Sequence, residues 1–189
     1  MEAGKPVEAE KSGLYVMRPG IILFIISEAF LFGSLFWTYY YLRAWTPGWP
    51  PEHPDPVLAS INTVVLLPSS YYISRAVSAI QRGNTKGLAT WLVVTLSAGV
   101  IFLGITVFEW THESFVPSTN AYGSIFFTLT GFHALHVFGG VLLMAALLNR
   151  TLKQRFSAER HVGVEIGSYY WHFVDLVWVF VFATIFIIR

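Results

Sequence analysis

Residues 21–42 read IILFIISEAFLFGSLFWTYYYL, a run in which Glu28 is the one ionisable carboxylate or basic group. A bilayer core about 30 Å thick takes roughly 20 apolar residues as a helix, so this stretch is long enough to cross one. Stretches 57–80, 88–108, 121–148 and 166–188 meet the same requirement. Between them they leave only a short tail and four connections, too little for a separate soluble domain. Long unbroken apolar runs are not the alternating pattern of a membrane β-barrel. The expected fold is all-α: a polytopic bundle of five transmembrane helices, residues 20–189, behind a tail of residues 1–19.

Composition agrees. Of 189 residues 54% are hydrophobic, 17% aromatic and 12% charged, against about 25% charged in an average soluble domain. A soluble domain this small has too much surface to cover with so few charges. A net charge of +1 excludes the basic footprint of a nucleic-acid binder. With no cysteine, disulfides, thiolate zinc sites and iron–sulfur clusters are excluded.

The basic residues sort by side. Lys5, Lys11, Arg18, Arg75, Arg82, Lys86, Arg150, Lys153, Arg155 and Arg160 fall at one end of the spans, and only Arg43 and Arg189 at the other. The positive-inside rule puts the first end, and the N-terminus, in the cytoplasm and the C-terminus outside. Trp45, Trp49 and Trp110 are expected at the outer boundary, Trp91 and Trp171 toward the inner one. Glu2, Glu8 and Glu10 crowd the region that a secretory signal keeps basic. Residues 43–56, with Pro47, Pro50, Pro51, Pro54 and Pro56, read as a stiff extended loop. Pro68 is expected to kink the second span.

An ionisable residue in mid-span costs about 2.5–3.5 kcal/mol on insertion scales and is a functional-site hypothesis by default. Glu28 lies about 12 Å into the first span. It reads either as a carboxyl hydrogen-bonded to groups such as Ser27 or Asn62, or as a proton-handling or lipid-ligating acid. His133 and His136 are spaced i, i+3 in the fourth span, and His172 and Asp175 likewise in the fifth, at depths that let the pairs meet. Together they have the ligand types for zinc, iron or haem. They equally suit a buried structural network in which the carboxylate fixes an imidazole tautomer, and the lack of other ligands favours the network. Glu109 and Glu165 read as interfacial acids. Arg150, Arg160, His161 and Glu165 form an inner-face cluster suited to anionic lipid headgroups. Phosphate-binding glycine loops, a nucleophile elbow and a His-Glu-x-x-His motif are missing.

Several motifs in one order resemble a known family. GIILFIISE at 20–28, WPP at 49–51 followed by Asn62-Thr63, YGS at 122–124, TGFHALHV at 130–137 and YWHFVDLVW at 170–178 look like subunit III of the haem-copper oxidases, most of all the cytochrome c oxidase type. The longest members have seven spans, so the chain resembles the five-helix form of bacterial oxidases. The resemblance implies an accessory subunit in the bacterial cytoplasmic membrane, without haem, copper or a catalytic centre of its own. It implies packing on the catalytic subunit I, with subunit II and a small subunit IV in the same complex, bound structural phospholipid, support of proton uptake, and cytochrome c as donor through other subunits. Glu28 matches the family's buried acid, Arg150 and His161 its lipid-headgroup positions, Glu109 a span-closing glutamate, and His172 with Asp175 its closing motif. The alternatives are the same subunit of a quinol oxidase or nitric oxide reductase, a small haem-binding membrane cytochrome, and a transporter.

Overall fold

The computed structural model describes the backbone of residues 5–188 and the side chains of residues 17–188. The expectations for Glu2, Lys5, Glu8, Glu10, Lys11 and Arg189 lie outside the described side chains. Five helices follow one another: α1 Lys5–Trp45, α2 Pro56–Gln81, α3 Thr85–His112, α4 Ala121–Leu152 and α5 Val162–Phe182, the last continuing as wider π-type turns over Ala183–Ile188. Among the described residues there is no strand. Each helix holds a segment long and apolar enough to cross a membrane: Met17–Trp45, Pro56–Gln81, Thr85–His112, Ala121–Leu152 and Val162–Ile188.

Capping side chains set where α2, α3 and α4 start. Asp55 accepts from the Val57 N–H at 2.8 Å, Asn84 from Gly87 at 2.8 Å and Asn120 from Gly123 at 2.8 Å. Each satisfies one of the amide donors that a helix start leaves open. α2 passes through Pro68 and α1 through Pro19 as continuous helices. Gly83, at φ +73°, supplies the left-handed residue that lets α2 reverse into α3 within a few residues.

From α2 onward consecutive helices pack as neighbours, and α2 closes back on α5, so α2–α5 form a four-membered ring. α1 lies outside that ring, against α4 and α5. In the most apolar stretch of α5, 56% of residues are buried, against 6% in α1. α1 therefore presents most of its apolar surface outward.

Trp171 corrects its expected place in an interfacial belt, for it is fully buried in the ring. Its indole lies in a notch between α3 and α4 made by two glycines. A Cβ at Gly99 or at Gly140 would come within 2.7 Å of the ring. The indole N–H donates to Ser69 Oγ of α2 at 2.8 Å, so all four ring helices meet at this one side chain. About two turns further along α5, Trp178 donates to Thr63 Oγ1 at 3.0 Å and meets Phe102 edge-on at 4.7 Å. Trp49 also turns inward from its loop, with Tyr39 and Tyr122 at 5.3 and 5.1 Å between ring centres.

Candidate functional site

Glu28 finds its partner on α4, not on Ser27 or an Asn62-type group. Ser27 bonds the Phe24 carbonyl at 2.7 Å, and Asn62 donates to Thr106 Oγ1 at 3.1 Å. Glu28 Oε2 instead lies 3.0 Å from His136 Nε2, and both side chains are mostly shielded. The other imidazole nitrogen, Nδ1, lies 2.7 Å from the Phe132 carbonyl. A carbonyl only accepts, so Nδ1 carries a hydrogen. The Nε2···Oε2 line then holds one shared proton, on the carboxyl beside a neutral imidazole or on an imidazolium beside a carboxylate. Phe32 lies against the imidazole at 5.0 Å, and Tyr170 of α5 donates to the His136 carbonyl at 2.9 Å. Three helices thus fix this pair.

The four residues expected as one network separate into three environments. Successive helix residues advance by about 100°, so the i, i+3 spacing turns His133 about 60° away from His136. That is enough to aim His136 at α1 and His133 into the ring. His133 is fully buried between Phe102 and Trp178, with ring centres at 5.4 and 5.0 Å. The His172–Asp175 pair faces α2. Asp175 Oδ2 accepts from Ser70 Oγ and, at 3.4 Å, from Ser69 Oγ. His172 Nδ1 lies 3.1 Å from Ser70 Oγ and Nε2 3.3 Å from Ser74 Oγ. The two histidine-bearing faces therefore do not meet. Among the described residues no group of three or more His, Asp or Glu side chains is placed to hold a metal ion.

Glu109 is not a solvated helix end. Phe102, Thr106 and Glu109 share one face of α3 at i, i+4 and i+7, and that face turns into the ring, leaving Glu109 only 3% exposed. Beyond the span, burial pushes the Glu113 carboxyl up, against a hydrogen bond from the Asp55 backbone that lowers it.

At the basic end of the bundle Glu165 gathers partners from three places in the chain. Arg18 of α1 reaches Glu165 Oε2 at 2.7 Å, His161 Nε2 lies 3.3 Å from Oε1, and Gln81 at the end of α2 also bonds it. Arg150, expected in this cluster, instead lays its guanidinium over Phe156 at 5.3 Å. A groove of about 450 Å³ runs from Arg18 between α1 and α5, lined by Ile22, Ile25, Tyr169, His172 and Leu176 among others.

Sequence reasoning passed over Ser69, Ser70, Ser74 and the pairing role of Arg18. The signal for the serines was present: three small hydroxyls in one apolar span, two of them adjacent and the third one turn on.

The comparisons with known proteins agree with this architecture. The family model for cytochrome c oxidase subunit III matches residues 3–188. A cytochrome c oxidase subunit 3 from Thermostichus vulcanus is 37% identical over 172 residues, 89% of this chain and 86% of the relative. Its counterpart in Synechocystis sp. is 36% identical, covering 89% of this chain and 74% of the relative. That of Dugong dugon is 41% identical, covering 90% and 69%. The chain belongs to the cytochrome c oxidase subunit III family.

Proposed function

We propose that this chain is the accessory subunit III of a proton-pumping haem-copper terminal oxidase, supporting a catalytic centre that lies in its partner. The observation that carries this reading is the family match over residues 3–188, laid on a bundle whose mid-span acid Glu28 is bonded to His136. α1, with Phe30 and Trp37 about three-quarters exposed, offers the surface for helix packing on subunit I. Subunit II and a small subunit IV complete the complex, and cytochrome c delivers electrons through those other chains. The excess of basic residues at one end supports an orientation with that end in the cytoplasm, in a chain whose membrane we read as the bacterial cytoplasmic one. Arg150 and His161 at that end suit phospholipid headgroups. Haem and copper belong to the partner subunits, and the shared proton of Glu28 and His136 supports proton uptake.

Affinity purification of the tagged chain from its native membrane in mild detergent tests this. The expected result is a complex with haem and copper whose visible absorption stays with other chains when they are separated. A Soret band on this chain alone, lost in His133→Ala, would overturn the reading in favour of a small membrane cytochrome.

A further inference from the structure

We propose that Asp175, Ser70 and His172 form a proton-binding site, separate from Glu28 and His136, that exchanges protons with the basic end of the bundle through the groove between α1 and α5. Asp175 sits halfway along the span Val162–Ile188, about 20 Å from its start at 1.5 Å per residue, and is 3% exposed. Its Oδ2 takes hydrogen bonds from Ser69 and Ser70, and its Oδ1 has no partner among the described residues. Ser70 is also the neighbour of His172 Nδ1 at 3.1 Å. His172 lines the groove whose far end is Arg18. A line of hydrogen bonds thus runs from the groove wall to the buried carboxyl.

The donors decide how a proton rides on this line. Ser74 spends its hydrogen on the Ser70 carbonyl at 2.9 Å, so its oxygen faces His172 Nε2 as an acceptor and Nε2 carries hydrogen. The loaded site holds one proton more than an ionised Asp175 beside a neutral His172. The same heavy atoms accept that proton in two arrangements. In one, the imidazolium donates from Nδ1 to Ser70 and Ser70 donates to Asp175. In the other, the Asp175 carboxyl donates to Ser70 and Ser70 donates to Nδ1. Passing between them moves two protons along the two bonds at Ser70 and breaks no other bond. Unloading removes the Nε2 proton at the groove, and Ser74 turns its hydrogen from the Ser70 carbonyl to Nε2, leaving imidazole protonated on Nδ1 and a carboxylate on Asp175.

Ionisable groups on the helices packed against α5 are engaged elsewhere. On α1, Arg18 pairs with Glu165, and Glu28 with His136 of α4. On α2, Arg75 lies over Tyr71 and Trp91. On α4, His133 packs between Phe102 and Trp178. The site therefore titrates without a fixed counter-charge.

Infrared difference spectroscopy after a pH jump, on the full-length chain in lipid nanodiscs, tests this. The sequence holds only two aspartates, Asp55 and Asp175, so carboxyl-labelled aspartate identifies the band. The expected result is a protonated-carboxyl stretch that grows on acidification, shifts with labelled aspartate, disappears in Asp175→Asn and persists in Glu28→Gln. Ser70→Ala keeps the Ser69 bond, so the band remains, but its rise slows by about ten-fold or more, as for a lost proton-transfer group. His172→Gln slows it likewise. A purely structural aspartate keeps one protonation state and gives no such band. Absence of the band in the parent chain, or parent rates in both Ser70→Ala and His172→Gln, would overturn the proposal. Should Asp175→Asn fail to fold, the label in the parent and the Ser70→Ala rate still decide it. Persistence of the band in Glu28→Gln keeps its outcome apart from the proposed role of Glu28 in the oxidase.

Discussion

Glu28 of α1 and His136 of α4 share a hydrogen bond of 3.0 Å inside the bundle, although 108 residues separate them. The Phe132 carbonyl fixes the imidazole from behind, so only the proton between Nε2 and Oε2 is free to move. Glu28→Gln keeps the shape and can still donate to Nε2, but cannot release that proton. We expect the variant oxidase to assemble with parental subunit content and to lose activity faster during turnover, with slower proton uptake. His136→Ala should act in the same direction. Turnover and inactivation kinetics indistinguishable from the parent in both variants would remove the pair from any functional role.

Trp171 makes a sharper stability case. A methyl at Gly140 meets the indole at 2.7 Å, and the indole cannot retreat without giving up Ser69. Overpacking of this kind costs about 1–3 kcal/mol, so Gly140→Ala should lower the thermal midpoint measured by tryptophan fluorescence in nanodiscs. Trp171→Phe loses a hydrogen bond worth about 0.5–1.5 kcal/mol and shrinks the ring. The double variant should be more stable than the sum of the two losses predicts, because the smaller ring makes room for the methyl. Strict additivity would mean that the notch does not set the packing.

The five helices were legible because in lipid an apolar run of sufficient length has few alternatives to a helix. Helix ends were less so: Asn84 carries the start of α3 beyond its apolar window, and α4 starts where its window does but runs on to Leu152. Pairings between helices were not legible at all. Spacing put His133 and His136 near one another, but the 60° between them decides that one meets Glu28 and the other Trp178, and this depends on where α1 docks. Trp171 misled for a related reason. An indole near a span's end suits an interface, yet two glycines on α3 and α4 open a place for it in the core, and only the folded ring aligns them.

Arg18 and Glu165 tie the start of α1 to α5 at 2.7 Å, with Arg18 half exposed. Solvent screening keeps such a pair weak. The effect should therefore be local. Arg18→Ala and Glu165→Ala should each raise amide exchange at the basic end of α1 while leaving the thermal midpoint nearly unchanged, and the double variant should add little to either. Exchange confined to α5 in both variants would show that the pair does not hold α1.

Acid should act in opposite senses at the two ends of the molecule. In the connection between α4 and α5, the Ser157 hydroxyl donates to Glu159 at 2.9 Å and holds its carboxyl below the ordinary value of 4.5. A depressed carboxyl contributes stability above its unfolded value and loses it as pH falls through the folded one. The Arg160 N–H, bonded to the Ser157 carbonyl and hydroxyl at 3.1 and 3.2 Å, should therefore exchange faster, relative to its intrinsic rate, once pH drops through that range. Glu113, beyond the end of α3, is pushed up by burial. Its preference for the folded state is complete below the ordinary value of 4.5 and is lost as pH rises through the raised one. Amides near residue 113 should then be better protected in mild acid than at neutral pH. Hydrogen exchange followed at both ends across this range checks the pair of signs. Glu159→Gln should abolish the response at 153–161 alone, and Glu113→Gln the response at the other end alone. Parallel loosening at both ends would instead point to global acid unfolding, with neither carboxyl responsible.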